Sequence, residues 1–283
     1  MSLVLNTNVA SLTTQRFLAS STNALSQTFK RLSSGQRINT AADDAAGLSI
    51  SDRMTAQVRG LNQAVRNAND TISLIQIAEG ALTETTSALQ RMRELAVQAA
   101  NDTNMSSDRA DLQKEVNQLV AEIGRISDTT QFNNQTLLDG GVAAGLTFHV
   151  GANQNQTIVV SIGSMDATAL GVDATTMASF GTGGTTSANQ AAAESAIALI
   201  DLAIDSVTAQ RAKLGAMQNR FEAVISNLTN ISLNTSVARS RILDADIAAE
   251  TAKLTQNSIM QQAGTAVLAQ ANQQPSIVLQ LLK

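Results

Sequence analysis

Residues 58–89, VRGLNQAVRNANDTISLIQIAEGALTETTSAL, carry the pattern that decides the fold. Apolar side chains recur there at alternating intervals of three and four residues, which is the heptad spacing of helices that pack along a seam. The residues that we assign to this seam are Val58, Leu61, Val65, Ile72 and Ile75. Extended in both directions, the pattern predicts one helix from about Ala45 to Ala100, roughly 80 Å long at the rise of an α-helix.

Two more helices are predicted downstream of this first long helix. One runs from about Asp108 to Ser127, with Ser106 or Ser107 as the N-cap residue. The other is a long arm from about Asn189 to Thr235. Its seam residues are Ile200, Ile204, Val207, Leu214 and Phe221. The heptad spacing pairs this arm with the first long helix but leaves their relative orientation open.

The middle of the chain differs in composition from both arms. No Lys or Arg occurs between Ile126 and Gln210, and nine of the 16 glycines lie between Gly140 and Gly184. Residues 146–150 and 158–162 alternate apolar and polar side chains around the loop 151–156, which predicts a β-hairpin. The following stretch, residues 163–189, is rich in Ser, Thr, Gly and Ala and is predicted to be mostly irregular.

Composition excludes several classes of active site. The chain has no Cys, one His, 2% aromatic residues and a net charge of −4. A thiol nucleophile, a cysteine-ligated metal and a multi-histidine metal site are therefore excluded. The charge and the scarcity of aromatic rings argue against nucleic-acid binding. No catalytic or phosphate-binding motif occurs, so we expect no enzymatic activity, no metal and no cofactor. No apolar run reaches the length of a membrane span, so we expect no membrane insertion.

Both ends of the chain carry short apolar stripes. At the amino end the stripe residues are Leu5, Val9, Leu12, Leu18, Leu25, Phe29 and Leu32, and at the carboxyl end they are Ile247, Leu254, Leu268 and Leu279. Isolated amphipathic helices of this length are marginally stable in water. We therefore expect the ends to stay unfolded in the monomer and to fold together on assembly. From the residues alone, an intramolecular helical bundle remains the alternative to a polymer.

An acidic pair precedes the first long helix. Asp43 and Asp44 have no histidine or third carboxylate nearby in the sequence, which argues against a metal or acid–base site. Carboxylates at this position complement the helix dipole. A sharper hypothesis pairs them with Arg239 or Arg241.

Ordered motifs along almost the whole chain resemble those of bacterial flagellin. They are residues 5–12 (LNTNVASL), 31–39 (RLSSGQRIN), 41–47 (AADDAAG), 90–98 (QRMRELAVQ), 131–133 (QFN), 148–153 (FHVGAN), 240–246 (SRILDAD) and 270–275 (QANQQP). Residues 163–189 are too short for an extra folded domain, so the resemblance is to a short form that lacks the outer variable domains.

The resemblance implies a mainly α fold: a long antiparallel helical rod or coiled-coil bundle with a small β-hairpin region. The terminal helices are expected to form a coiled coil on assembly. The predicted segments are an amino-terminal inner-tube segment (1–44), the first part of the rod (45–188), its carboxyl-terminal helix (189–240) and a carboxyl-terminal inner-tube segment (241–283).

The function implied by the resemblance is that of a structural subunit that polymerises into the flagellar filament for motility. Such subunits are exported unfolded by the flagellar type III system and reside in the extracellular filament. The implied partners are further copies of the chain, an export chaperone at the carboxyl-terminal segment, and the filament cap and hook-junction proteins.

A host Toll-like receptor of innate immunity is a further possible partner, and the matching positions for it are Arg91, Leu95 and Glu115. The alternatives left open are a hook–filament junction protein, which shares flagellin-like ends, and a monomeric secreted helical binding protein.

Overall fold

The computed structural model describes residues 7–173 and 186–281. Its helices are α1 (Val9–Ser34), α2 (Ala45–Ala99), α3 (Ser106–Thr129), α4 (Thr186–Leu243) and α5 (Ile247–Leu281). Its strands are β1 (Gln131–Phe132), β2 (Gln135–Thr136), β3 (Leu146–His149) and β4 (Thr157–Val160). The mainly α fold with a small β-hairpin region is therefore confirmed. Within the described ranges, no helix is both long enough and apolar enough to cross a membrane.

Local signals explain where the first helices begin and end. The side chain of Asn8 caps α1 by accepting from the backbone N–H of Ser11 at 3.0 Å. Gly35 ends α1 with φ at +70°, a left-handed conformation that glycine adopts without steric cost. Asp44 caps α2 by accepting from the backbone N–H of Gly47 at 2.9 Å. The predicted limits of α2 agree with the observed helix to within one residue.

The start of α3 corrects one prediction. Ser106 and Ser107 lie inside the helix, and Met105 is the N-cap residue. The backbone N–H of Met105 donates to the carboxylate of Asp108 at 3.0 Å. The helix start is thus stabilised from its first turn, where an acidic residue also suits the helix dipole.

The two strand pairs are antiparallel hairpins. In the predicted hairpin, Leu146 pairs with Val160 and His149 pairs with Thr157. The smaller hairpin, β1–β2, turns through Asn133 and Asn134, whose φ angles are +49° and +63°. Two successive left-handed residues are the signature of a type I′ turn, which asparagine tolerates. The alternation of apolar and polar residues does not predict this hairpin, because each of its strands has only two residues.

The chain divides into two compact units. Unit 1 comprises Met1–Val58 and Leu233–Lys283, and unit 2 comprises Arg59–Ser232.

Three side-chain contacts in unit 2 join α2 to α4 and fix their orientation. The hydroxyl of Ser232 donates to Asn62 at 3.0 Å, Arg211 lies 3.9 Å from Glu79, and Arg93 lies 2.6 Å from Asp201. The residue numbers rise along one helix as they fall along the other. The two helices are therefore antiparallel, the orientation that their heptad spacing left open.

The core of unit 2 contains most of the predicted seam residues. Leu61, Ile75, Ile200, Val207, Leu214 and Phe221 are buried, and Val65, Ile72 and Ile204 are partly buried. The hairpin joins this core because the ring of Phe148 packs edge-on against Phe221, with ring centroids 6.4 Å apart. Val58, the remaining seam residue, belongs to unit 1 and is partly buried there.

Candidate assembly interface

Helices α1 and α5 of unit 1 pair antiparallel through polar contacts. The side-chain amide of Asn8 donates to the carbonyl of Ala271 at 2.7 Å, and Ser21 donates to the carbonyl of Asn257 at 3.3 Å. Between Arg31 and Glu250 the closest contact is 3.4 Å. These contacts extend along most of α1, so they define the alignment of the two helices.

The buried face of this helix pair is small and polar. Its fully buried members are Ser11, Thr28, Glu250 and Ala271. The hydroxyl of Ser11 donates to the side-chain oxygen of Asn272 at 2.8 Å. No large apolar side chain among the described residues of the two helices is fully buried. Apolar burial between α1 and α5 within one chain is therefore incomplete and comes from leucines that are only partly buried.

The predicted assembly residues divide between the outer surface of the pair and the partly buried face between its helices. Four of them are exposed by half or more: Val9 at 63%, Leu12 at 52%, Phe29 at 62% and Ile247 at 50%. Leu18, Leu25, Leu32, Leu254 and Leu268 are partly buried. Leu5 and the side chain of Leu279 lie outside the described residues.

The sequence pattern missed several exposed apolar side chains on the same helices. They are Phe17, Ile259, Met260 and Val267. They fall outside the seven-residue spacing that selected the stripe, and a wider apolar band would have included them. We use "outer apolar face" for these four residues together with Val9, Leu12, Phe29 and Ile247. Burial of these side chains against another molecule would be favourable, since each contributes about 1.5–3 kcal/mol when fully buried.

A groove lies along α1 next to Phe29, one of the residues of the outer apolar face. Its volume is about 550 Å³, and its walls include Leu25, Phe29 and Lys30. The methylene groups of a lysine can line an apolar wall while its ammonium group remains in water. The groove therefore offers an apolar side chain from another molecule a place to bind.

The segments that follow α1 and α4 are joined by backbone hydrogen bonds. The N–H groups of Arg37 and Ile38 donate to the carbonyl of Leu243 at 2.7 and 3.4 Å, and Ala245 donates to the carbonyl of Gly35 at 2.9 Å. The guanidinium of Arg37 adds a bond to the carbonyl of Ile242 at 2.8 Å. This bridge ties the two ends of the chain together within unit 1.

The acidic pair beside this bridge has local partners. The carboxylate of Asp43 accepts from the backbone N–H groups of Thr40 and Asn39, which hold the pKa of Asp43 below its ordinary value. Asp44 caps α2, and Arg239 donates to Thr55 at 3.3 Å. Asp44 therefore acts at the start of a helix, as the sequence predicts. In the structure Asp43 and Asp44 accept hydrogen bonds from nearby backbone groups, and this differs from the hypothesis that pairs them with Arg239 or Arg241.

The predicted receptor residues lie together in unit 2. Arg91 on α2 contacts Glu94 at 3.0 Å and Glu115 on α3 at 2.9 Å. The hydrogen bond that Arg91 donates to Glu94, followed by the interaction with Glu115, raises the pKa of Arg91. Arg91 and Glu115 are about half exposed, whereas Leu95 is only 1% exposed. The surface at this point thus presents an ion pair supported by a buried leucine.

Two family models match the chain over most of its length. Residues 5–143 match the bacterial flagellin N-terminal helical region, and residues 197–282 match the bacterial flagellin C-terminal helical region. The chain belongs to the bacterial flagellin family. This family is one of structural proteins, and the flagellin chain is a structural subunit of the extracellular bacterial flagellar filament.

Individual relatives agree with this assignment and with the short form. This flagellin is 48% identical to a flagellin of Halalkalibacterium halodurans, with 99% of this chain and 100% of the relative covered. It is 45% identical to a flagellin of Bacillus subtilis, with 99% of each chain covered.

One solved structure shares the fold. A putative flagellar hook-associated protein from Vibrio parahaemolyticus superposes with a TM-score of 0.62 at 13% identity, covering 71% of this chain and 100% of that one. At this low identity the likeness concerns the fold alone.

Proposed function

We propose that this flagellin polymerises by burying the outer apolar face of α1 and α5 against neighbouring copies of itself. The observation that carries the proposal is the arrangement of the terminal helix pair. Its inner face combines small and polar side chains with partly buried leucines, while Val9, Leu12, Phe29 and Ile247 face outward. Partner helices then supply the apolar contacts that a single chain lacks.

Folding of the ends is coupled to this assembly. On the resemblance, we assign residues 1–44 and 241–283 to the inner-tube segments and residues 45–188 and 189–240 to the rod. The α1–α5 contact leaves its leucines only partly buried within one chain, so the ends stay unfolded until neighbouring copies complete their burial. An unfolded end also suits export through the narrow channel of the flagellar type III system.

Before export, the same apolar surface has to be shielded from premature contacts with other copies of the chain. A chaperone that binds residues 247–282 as an amphipathic helix would shield Ile247, Ile259 and Val267, which are exposed in unit 1. The filament cap and the hook-junction proteins are the partners at the two ends of the polymer, since only copies there have unfilled contact surfaces.

A Toll-like receptor is a further partner that we propose on the resemblance. The exposed ion pair of Arg91 and Glu115 supports direct contact at these two residues. The burial of Leu95 supports an indirect role, in which this side chain holds the α2–α3 surface in place.

Seeded polymerisation followed by electron microscopy tests the assembly proposal. We expect long, uniform filaments from the unsubstituted chain and no filaments from the double variant Leu12→Ser/Phe29→Ser, because it removes two outward apolar side chains. The matched control is Ser20→Ala, an exposed change on the same helix that should leave assembly intact. Far-UV circular dichroism should show the same melting temperature of unit 2 in all three chains.

Two results would contradict the proposal. Filaments of normal length and yield from Leu12→Ser/Phe29→Ser would show that the outer apolar face is not the contact surface. Persistent monomers of the unsubstituted chain, with both ends resistant to protease, would favour the junction protein or the monomeric binding protein.

A further inference from the structure

One carboxylate is buried between the terminal helices. Glu250 on α5 is 4% exposed, and its Oε1 lies 3.4 Å from Nη1 of Arg31 on α1. Lys253, one turn further along α5, reaches the same oxygen at 3.2 Å. The contact between Arg31 and Glu250 is the only ion pair that joins α1 to α5 among their described residues.

The charge pattern makes this contact unique along the pair. Helix α1 carries Arg16, Lys30 and Arg31 and no acidic residue, and α5 carries Lys253 and the single acidic residue Glu250. A buried acid with one partly buried basic partner on the opposite helix therefore has only one favourable position along that helix. A shift by one helical turn, about 5.4 Å, would place Glu250 beside Gln27 and Thr28, which carry no charge.

The pair is also incompletely satisfied. Nε of Arg31 and Oε2 of Glu250 are buried and have no hydrogen-bond partner among the described residues. A buried ion pair of this kind adds little net stability, and an apolar pair of similar volume often replaces it without loss. Buried polar groups are best attested as devices that fix register or oligomeric state. The geometry therefore favours an alignment role over a stabilising one.

Alignment matters here because the apolar side chains face outward. The leucines that face the partner helix, such as Leu18 beside Gly264, are only partly buried, so apolar contact alone fixes the register of α1 and α5 weakly. Yet the outer apolar face of each copy combines residues of both helices, such as Phe29 on α1 and Ile247 on α5. A slip of one turn would misalign these residues and break up the surface that a neighbouring copy must match.

We propose that Glu250 is a positioning residue for filament assembly. By pairing with Arg31, it sets where α5 lies along α1, and so brings the apolar residues of the two helices into one surface for the next copy. The inference rests on the proposed function, since it concerns the alignment of the surface that polymerises.

Disulfide cross-linking can read this alignment directly, because the chain has no native cysteine. The in-register pair is Ser21→Cys with Asn257→Cys, whose parent residues are in contact. Two slipped pairs, Ser21→Cys with Leu254→Cys and Ser21→Cys with Gln261→Cys, report a shift of about one turn in either direction. Each pair is oxidised after seeded assembly, with and without Glu250→Gln, and assembly rate is measured in parallel.

With Glu250 intact, we expect cross-linking of the in-register pair alone. With Glu250→Gln, we expect at least one slipped pair to cross-link and the rate of filament growth to fall at least tenfold. The matched control is Lys253→Gln, which removes the exposed neighbour of Glu250 and should leave both readouts unchanged. Unchanged growth and in-register cross-linking alone in Glu250→Gln would overturn the inference.

A second variant separates alignment from stability. Arg31→Met/Glu250→Met leaves no buried charge, so the helices should still pair, and we expect slipped cross-links alongside the in-register one. In-register cross-links alone from this variant would overturn the inference, because they would show that other residues set the alignment. Absence of filaments from the unsubstituted chain would overturn the proposed function and this inference together.

Discussion

At the scale of single residues, the buried side chain of Arg109 connects the start of α3 to the end of α2. It is fully buried, and it donates from Nε to the carbonyl of Ala99 at 2.8 Å and from Nη2 to the carbonyl of Asn101 at 3.1 Å. The carboxylate of Asp102 lies 3.8 Å away. The last carbonyls of a helix have no partner within the helix, so this guanidinium supplies them at the end of α2.

We expect Arg109→Ala to lower the free energy of unfolding of the monomer by about 3 kcal/mol. The change removes the side-chain donor to the buried carbonyl of Ala99, and with it the side chain that joins the start of α3 to the end of α2. Urea denaturation followed by far-UV circular dichroism measures this, since the chain has no Trp or Tyr for fluorescence. The control is Arg125→Ala, which breaks only an exposed pair with Glu122 on α3 and should cost less than about 0.5 kcal/mol. Equal effects of the two changes would show that burial of Arg109 is energetically unimportant.

Arg109 also illustrates what the sequence could not reveal at this scale. Within α3 it resembles any solvent-exposed basic residue, and nothing in its neighbours predicts that it folds back on the previous helix. The N-cap of α3 is wrongly predicted for a related reason, because Ser106 and Ser107, which lie in the first turn of the helix, are residue types that also favour the N-cap position. Asp44 could be interpreted correctly because its role depends only on its position before α2.

At the scale of secondary-structure elements, the β3–β4 hairpin lies against α2 at a glycine. A Cβ atom at Gly60 would come within 3.2 Å of the Cβ and 3.3 Å of the Cα of Ala152, in the hairpin loop. The side chain of Asn67, two turns along α2, donates to the carbonyl of His149 at 3.0 Å. The hairpin is therefore held on α2 at two places, and at one of them an added Cβ atom would be unusually close to the hairpin loop.

Gly60→Ala tests this close approach against helix propensity. Replacing glycine by alanine inside a helix normally stabilises it by about 1 kcal/mol. We expect that gain for Gly80→Ala and Gly215→Ala, where an added Cβ meets no atom within 4 Å. For Gly60→Ala we expect no gain, because the hairpin loop has to move away by a few tenths of an ångström. Thermal unfolding of the three variants measures the difference, and an equal gain at Gly60 would contradict the contact.

The elements themselves were the most predictable level of the fold. Sustained heptads in α2 and α4 identify long helices because their spacing repeats over many turns. The alternation around residues 151–156 identifies the longer hairpin in the same way. The β1–β2 hairpin has only two residues in each strand, too few for any alternation to show. The orientation of α2 against α4 depends on side-chain pairs such as Arg93 with Asp201, which are distant in the sequence.

At the scale of the whole molecule, α1 and α5 carry exposed apolar residues that suit contacts with further copies of the chain. The apolar stripes at its two ends were visible in the sequence, but their direction was not. Residues such as Leu12 and Phe29 might have packed inside one helix pair, yet they are exposed while Ser11 and Thr28 are buried. A heptad pattern records which residues share a helix face. It does not record whether that face meets the same chain or a neighbouring one.

Deletion of residues 244–283 tests which part of the chain folds by itself and which part is needed for contacts between copies. It removes α5, so α1 loses the partner of Asn8, Ser21 and Arg31, and the backbone bridge loses its bond from Ala245 to Gly35. Unit 2 lies entirely outside the deletion. We therefore expect the truncated chain to keep the melting temperature of unit 2 within about 2 °C and to form no filaments by electron microscopy, even with seeds. The matched control, Val159→Thr, alters an exposed residue of unit 2 and should polymerise normally. Filaments of the truncated chain would show that α1 alone suffices for assembly, and a lost unit 2 transition would show that the terminal helices also maintain the fold of the rest.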